Sequence, residues 1–218
     1  NTALVLAPFL DGMREAGASV ELLYAKRLDV KPCTGEFYCW NEKPGHCYIE
    51  DDMEMLLLKV RKADVLVLAT PVYIPLPGEM QNLINRLVPL VEPILEFRGG
   101  RTRAKVHDDV NLSKVVLVST GGWWELGNFG TVLRIAEEIA EDMSVEFGGA
   151  VLRPHASLMR KKTEKVNEVL AALRQAGVEL VTKGRMAKDL LETISQPLVS
   201  EEAYRRVLNE EYEKVRKG

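Results

Sequence analysis

Two continuous apolar runs mark buried strands in this chain. Val65 to Ala69 and Val115 to Val118 lack the alternation of apolar and polar residues that a half-solvated strand shows, so both are expected to be covered on both faces. Two further strands are predicted at Val20 to Ala25 and Val145 to Leu152. Apolar residues spaced three or four positions apart predict helices around these strands. The predicted helices are an opening helix that stops near residue 17, helices with apolar faces over 53–60, 80–91 and 132–143, and C-terminal helices over 164–183, 185–194 and 201–215.

Alternating strands and helices indicate an α/β fold, a doubly wound parallel sheet with helices on both faces and right-handed crossovers. In this architecture a strand and a phosphate-binding loop usually precede the first helix. We therefore expect a strand and loop of about ten residues ahead of Asn1, which makes the expected sheet five-stranded. Residues 1–183, with the loop 31–50, are predicted to form one domain, and residues 184–218 a C-terminal helical extension.

Two loops follow the ends of predicted strands and are the first candidates for a ligand site. Thr70 to Tyr73 follows one strand, and Ser119 to Trp124, with two glycines, follows another. Ligands of open parallel sheets bind outside the carboxyl ends of the strands, and glycines let a ligand approach the backbone. The alternative is structural, with Pro71 stopping a strand and the tryptophans packing at a helix start. Together, the loops predict a site for a flat heteroaromatic ring.

Composition and charge narrow the class of protein. The net charge of −3 over 218 residues gives no reason to expect nucleic acid or a membrane surface as a partner. No apolar run approaches the roughly 20 residues that cross a bilayer, and no signal peptide is recognisable. A cytoplasmic protein is expected. The three cysteines lie in one short segment, which favours metal binding, redox chemistry or plain burial over a disulfide framework.

Three short motifs together resemble the NADPH-dependent FMN reductase family, which has a flavodoxin-like fold and includes the iron-sulfur flavoproteins. They are Asn1-Thr2, the run from Ala69 to Tyr73, and the run from Ser119 to Trp123. Residues 33–52 and 197–204 are also similar to this family. The resemblance implies FMN with its phosphate near Asn1 and Thr2. It places the flavin ring between two sets of residues, Pro71, Val72, Tyr73 and Ile74 on one side and Thr120, Gly121, Gly122 and Trp123 on the other. The flavin itself carries the redox chemistry, so no catalytic side chain is predicted.

The cysteine loop matches the family's iron-sulfur motif only in part. Cys33, Cys39 and Cys47 fall on three positions of that motif, and Glu36 stands where a further cysteine is expected. A [4Fe-4S] cluster usually has four thiolate ligands, so an intact cluster would need a carboxylate or an outside ligand. A zinc site with His46 is a second alternative. The interpretation we favour is a loop with ordinary buried thiols that covers the flavin or a subunit contact.

Two other features are weaker candidates. His155 follows a strand end, and a lone histidine is more often structural than catalytic. The basic stretch from Arg98 to Ser113 is predicted to be a mobile insertion. Its cations either attract the phosphates of NADPH or are simply solvated, and we favour the second interpretation. These cations are Arg98, Arg101, Arg103 and Lys105.

The resulting functional hypothesis is an FMN-dependent oxidoreductase that takes electrons from NADPH or NADH and passes them to a quinone, a flavin or another small acceptor. The alternative is an electron carrier that acts with protein partners, and a third is a binding or sensor protein that has lost its flavin. The resemblance also implies a homodimer or homotetramer. Exposed aromatic residues in the cysteine loop, Phe37, Tyr38 and Trp40, are the candidate contacts.

Overall fold

The computed structural model describes residues 1–217. Its α-helices are α1 (Thr2–Glu15), α2 (Tyr38–Asn41), α3 (Met53–Lys62), α4 (Gly78–Asn85), α5 (Gly130–Asp142), α6 (Glu164–Lys183), α7 (Lys188–Ser195) and α8 (Glu201–Lys217). Its strands are β1 (Val65–Pro71), β2 (Val91–Arg98), β3 (Arg101–Val106), β4 (Lys114–Thr120) and β5 (Glu146–Arg153). Single turns of 3-10 helix occur at Ala25–Arg27, Val88–Leu90, Leu126–Phe129 and Ala156–Arg160.

The core is a parallel sheet in the order β1-β4-β5, covered by helices on both faces. Every residue of the central strand β4 is buried, as its continuous apolar run predicts. Its side chains alternate between the two faces. Val116 and Val118 pack with α1, α6 and α7, whereas Val115 packs with α3 and α5. The predicted doubly wound α/β class is therefore confirmed.

Helices α1 and α6 cross at very short range because each contributes a glycine to the contact. A Cβ atom added to Gly12 would lie 1.9 Å from the carbonyl oxygen of Arg174. A Cβ atom added to Gly177 would lie 2.1 Å from the carbonyl oxygen of Phe9. Pro8 lies inside α1 without ending it. The two helices thus meet backbone to backbone.

The predicted strand at Val20 to Ala25 does not form. Residues 18–24 have no regular structure and are followed by the 3-10 turn. A strand needs a hydrogen-bonded neighbour, and β1 pairs with β4 alone among the described residues. A groove of about 1290 Å³ lies between residues 18–25 and the free edge of β1, with apolar walls from α1 and α4. The parallel sheet of the described chain therefore has three strands, where five were expected.

The segment after α4 also differs from prediction. Helix α4 ends at Asn85, well before the predicted end near Val91, and Pro89 lies in the 3-10 turn that follows. The first part of the predicted mobile insertion, residues 98–106, instead belongs to an antiparallel hairpin of β2 and β3. Its Arg101 and Arg103 pair with Glu138 and Glu141 of α5. Arg98 donates to carbonyl oxygens at the end of α5, and Lys105 pairs with Glu92 and Asp108.

The C-terminal helices lie close to their predicted ranges. Met186, just before the start of α7, and Ile194, near its end, are buried in the same core cluster as α1 and α6. Helix α8 buries only Tyr204. The division into domains at residues 183 and 184 remains a prediction. Among residues 1–217, the helices are all too short or too polar to cross a membrane.

Candidate functional site

Three segments that are far apart in the sequence meet at the carboxyl ends of β1 and β4. The hydroxyl of Thr2, at the start of α1, lies 2.7 Å from the hydroxyl of Thr120, at the end of β4. The Val72 N–H donates to the carbonyl oxygen of Thr120 at 2.9 Å. One residue earlier on β4, the Ser119 hydroxyl donates to the carbonyl oxygen of Thr70 at 2.9 Å. The parallel register of β1 and β4 places these loops side by side.

The N-terminus of α1 has the properties of an anion site. The first turns of a helix leave N–H groups without intrahelical acceptors and carry a partial positive charge. The first turn of α1 contains no acidic residue, so no side-chain carboxylate offsets that charge. Asn1 precedes the helix without a capping hydrogen bond from its side chain, and it is exposed. This end of the helix fits a phosphate group.

The loop after β4 is held through its carbonyl groups. The carbonyl oxygen of Gly121 accepts from the Ala156 N–H at 3.0 Å, and that of Trp123 accepts from the His155 N–H at 2.8 Å. The carbonyl oxygen of Gly122 accepts from the Tyr204 hydroxyl. Within residues 1–217, the N–H groups of Gly122 and Trp123 make no hydrogen bond. The loop thus offers backbone donors, which suit the polar edge of a heteroaromatic ring.

Apolar side chains flank these donors and face solvent. The exposed fractions are 62% for Tyr73, 66% for Trp123 and 102% for Ile74. Pro71 and Val72 are half-buried beside them. The residues predicted to contact the ring therefore lie at the same edge of the sheet, next to the anion-binding end of α1. Donors for a phosphate, donors for a ring edge and apolar surface for ring faces are the groups that FMN needs, so the residues present fit FMN.

His155 is structural in this arrangement. Its side chain is completely buried, and its Nε2 atom faces both the Arg153 guanidinium at 2.9 Å and the Leu198 N–H at 3.1 Å. Burial, together with the nearby Arg153 charge, lowers the pKa of His155 to about 4. The ring is therefore neutral near pH 7. The roles of Arg153 and Tyr204 were missed from the sequence, because their contacts depend on how the C-terminal segment returns to this loop.

The cysteine loop is anchored by a buried ion pair. Arg86, which directly follows α4, donates to both carboxylate oxygens of Asp51, at 2.8 and 3.1 Å, and to the carbonyl oxygen of Lys31 at 2.8 Å. The exposed fractions of the Arg86 and Asp51 side chains are 1% and 0%. The Asp51 carboxylate also accepts a hydrogen bond from the Met53 N–H, at the start of α3, at 3.0 Å.

The cysteines themselves differ in environment. Cys33 is exposed, Cys39 is buried and Cys47 is half-buried, and all three are free thiols. Burial raises the pKa of the Cys39 thiol, which disfavours the thiolate that a metal requires. Among residues 1–217, no three histidine, cysteine or acidic side chains are grouped so that they could hold a metal ion. The residues of this loop, as arranged, do not fit an iron-sulfur cluster.

The fold and the site together define a class of protein. A parallel α/β sheet with a helix N-terminus and two strand-end loops at one edge is the arrangement of doubly wound nucleotide-binding proteins. Residues 1–124 match the family described as NADPH-dependent FMN reductase, and the chain belongs to this family.

Curated relatives include iron-sulfur flavoproteins. One, from Methanocaldococcus jannaschii, is 32% identical over 91 residues, which are 41% of this chain and 46% of that protein. Another, from Methanosarcina thermophila, is 29% identical over 135 residues, 54% of this chain and 70% of that protein. The chain thus spans less than half the length of the first of these relatives.

Solved structures share the fold. An NAD(P)H:quinone oxidoreductase from Methanothermobacter marburgensis superposes with a TM-score of 0.52 at 19% identity, over 82% of this chain and 89% of that chain. An FMN-dependent NADH-azoreductase from Bacillus anthracis, solved with FMN, gives a TM-score of 0.58 at 13% identity, over 83% and 91%. These likenesses identify the fold as flavodoxin-like.

Proposed function

We propose that this chain binds FMN and acts as an oxidoreductase that takes electrons from NADPH or NADH and passes them to a small acceptor such as a quinone or a flavin. The family match over residues 1–124 supports this proposal. So do the structural neighbours, whose names include an NAD(P)H:quinone oxidoreductase and an azoreductase with FMN. The observation that carries it is the 2.7 Å contact between Thr2 and Thr120, which joins the anion-binding end of α1 to the strand-end loops.

In the proposed complex each part of the site has one task. Asn1 and Thr2 hold the phosphate at the helix N-terminus. The residues from Pro71 to Ile74 and from Thr120 to Trp123 hold the ring, with backbone donors at its edge and apolar side chains at its faces. Bound FMN supplies the hydride and electron chemistry. The protein supplies binding and orientation.

The test of the proposed function uses the purified chain. Titration with FMN is expected to saturate at one FMN per chain, and NADPH or NADH should then bleach the flavin absorbance without air. An acceptor quinone should restore the colour. Absence of FMN binding would refute the proposal. FMN binding without bleaching by either nucleotide would favour the second candidate, an electron carrier.

A negative charge placed at the start of α1 is expected to stabilise the helix but to weaken phosphate binding. Ala3 is exposed in the first turn of α1. Ala3→Glu should stabilise the helix by about 0.3–1 kcal/mol, because a carboxylate complements the helix dipole. It should also weaken FMN binding about tenfold, which corresponds to about 1.4 kcal/mol of charge repulsion.

The control for this prediction is the neutral Ala3→Gln, together with riboflavin, which lacks the phosphate. Fluorescence titration should show no difference between the two variants for riboflavin. Equal FMN affinities of Ala3→Glu and Ala3→Gln would place the phosphate elsewhere.

The second candidate function, an electron carrier with protein partners, is favoured by the names of the curated relatives, which are iron-sulfur flavoproteins. A cluster in this chain would require Cys33, Cys39 and Cys47 to rearrange around the metal, since they form no ligand set as they stand. Iron and sulfide analysis of protein purified without air decides this point. Stoichiometric iron and sulfide would favour the carrier, and their absence would favour the flavin-only oxidoreductase.

We also propose that the chain assembles as a homodimer or homotetramer. Phe37, in the cysteine loop, is 48% exposed and lies with its ring 5.3 Å from that of Trp40. Tyr38 and Trp40, which were also expected to be exposed, are half-buried. Tyr73 and Trp123 add exposed aromatic surface at the candidate site. Exposed aromatic clusters of this kind are typical of interfaces. Sedimentation velocity should give a mass of two or four chains, and a monomer would contradict the proposal.

A further inference from the structure

Helix α8 is anchored to the loop after β4 by a buried tyrosine. Tyr204 is the only buried residue of α8, a helix of 17 residues that is otherwise exposed or half-exposed over its described length. The Tyr204 hydroxyl donates to the carbonyl oxygen of Gly122, which is 82 residues away in the sequence. The anchor of the last helix is therefore a hydrogen bond to the loop that offers backbone donors to the ligand.

The residues that precede α8 make a second set of contacts with the same loop. The indole N–H of Trp124 donates to the carbonyl oxygen of Val199 at 3.0 Å. The Trp124 ring stacks on His155, with centroids 6.3 Å apart and an angle of 15° between the planes. The centroid of the Tyr204 ring lies 5.6 Å from that of the His155 ring. Residues 194–204 thus pack against the loop through rings as well as through hydrogen bonds.

Arg153 fixes the same segment from the end of β5. Its side chain is completely buried and forms no ion pair with a carboxylate of residues 1–217. Its guanidinium donates to the carbonyl oxygens of Pro154, Ile194 and Gln196. A buried cation is costly unless it is hydrogen-bonded, so these acceptors must stay in place. Ile194 lies near the end of α7, and Gln196 directly follows it.

We propose that residues 194–204 form a positioning brace for the loop from Gly121 to Trp123, with Tyr204 as its central contact. The brace holds the Gly122 carbonyl toward the protein through the hydroxyl of Tyr204. The N–H groups of His155 and Ala156, which lie outside the brace, hold the carbonyls of Trp123 and Gly121 in the same way. The loop N–H groups are then left free for the flavin. This inference rests on the proposed function, and it adds a role for the C-terminal segment in setting flavin affinity and orientation.

The brace predicts a selective effect of removing one hydroxyl. Tyr204→Phe keeps the buried ring but frees the Gly122 carbonyl, so the loop peptide can rotate. The dissociation constant for FMN is expected to rise about tenfold, the upper end of what one hydrogen bond contributes. The visible circular dichroism of the bound flavin, measured at saturating FMN, should also change, because the donors at the ring edge move.

The matched control is Tyr212→Phe, since Tyr212 lies on the same helix and is 66% exposed. This variant should equal the unmodified protein in FMN affinity and in flavin dichroism. Trp124→Phe removes the indole donor to Val199 and should act in the same direction as Tyr204→Phe. A merely structural role for Tyr204 would lower the melting temperature but leave the dichroism of the saturated flavin unchanged, and that result would overturn the proposal.

A measurement without flavin separates this proposal from the proposed function. The N–H groups of His155 and Ala156 donate to the loop, so their hydrogen exchange reports how firmly the loop is held. Exchange at both amides is expected to be faster in Tyr204→Phe than in Tyr212→Phe. If the unmodified protein binds no FMN, the proposed function fails, and the exchange result alone decides on the brace. Equal exchange in the two variants would overturn the brace whether or not FMN binds.

Discussion

Replacing Gly12 with alanine is expected to lower the free energy of unfolding by about 3 kcal/mol, the upper range for forcing atoms into a packed contact. The new Cβ atom would lie 1.9 Å from the carbonyl oxygen of Arg174. Backbone atoms cannot rotate out of the way as a side chain can, so α1 and α6 must move apart. Gly177→Ala should act similarly, because its Cβ atom would lie 2.1 Å from the carbonyl oxygen of Phe9. Urea unfolding measures both effects.

Gly130→Ala is the control for this prediction. Gly130 is the first residue of α5, has helical backbone angles, and has open space around an added Cβ atom. Alanine should stabilise the protein there by about 0.5–1 kcal/mol, since it lowers the conformational entropy of the unfolded chain. If Gly12→Ala and Gly130→Ala had the same effect, the helices would not be in backbone contact at Gly12.

Replacing Asp51 with asparagine is expected to lower the free energy of unfolding by about 3 kcal/mol, because it leaves the Arg86 cation buried without its partner charge. The exposed ion pair of Asp11 and Arg14 provides the control, with exposed fractions of 59% and 46%. Asp11→Asn should change stability by at most about 1 kcal/mol. Equal effects of the two substitutions would show that the Asp51 pair is solvated.

The ion pair of Asp51 and Arg86 also makes the free energy of unfolding depend on pH, in a direction that follows from the pKa of Asp51. Burial opposes the charged form of Asp51, but hydrogen bonds from Arg86 and from the N–H groups of Lys31 and Met53 outweigh it and hold the pKa of Asp51 below its usual value. An unfolded aspartate titrates near pH 3.9, at roughly the model-peptide value. The stabilisation by Asp51 is therefore complete above about pH 5 and is lost as the pH falls through the lower folded pKa. The stability difference between the unmodified protein and Asp51→Asn should shrink below about pH 4.

Those parts of the fold that depend on local pattern could be predicted from the sequence. The apolar runs at β1 and β4 identified parallel strands, and helical periodicity located α6 and α8 to within a few residues. Only β4 is buried on both faces as predicted; β1 is half-buried, because one of its sides borders the groove. The meeting of the two strand-end loops followed from topology, since parallel strands bring their carboxyl ends to one edge. The contact between Thr2 and Thr120 agrees with that expectation. The individual flavin-contacting residues remain predictions until a ligand is measured.

Features that depend on distant partners could not be predicted. Residues 20–25 have strand-like composition, but a strand forms only beside a paired edge. Strand β3 is rich in basic residues that are typical of a loop, and the β2–β3 hairpin is held on α5 by arginine pairs with Glu138 and Glu141. The contact of Tyr204 with Gly122 spans 82 residues. No local pattern around Tyr204 distinguishes it from the exposed Tyr212 of the same helix.

The apolar groove beside β1 has a consequence for handling the protein. A strand edge with unpaired N–H and C=O groups is a template on which another extended chain can add. In residues 1–217 this edge borders a groove of about 1290 Å³ with apolar walls, so an incoming strand would gain hydrogen bonds and bury apolar side chains at once. The solubility and shelf life of a preparation of this chain therefore depend on whether that edge is covered.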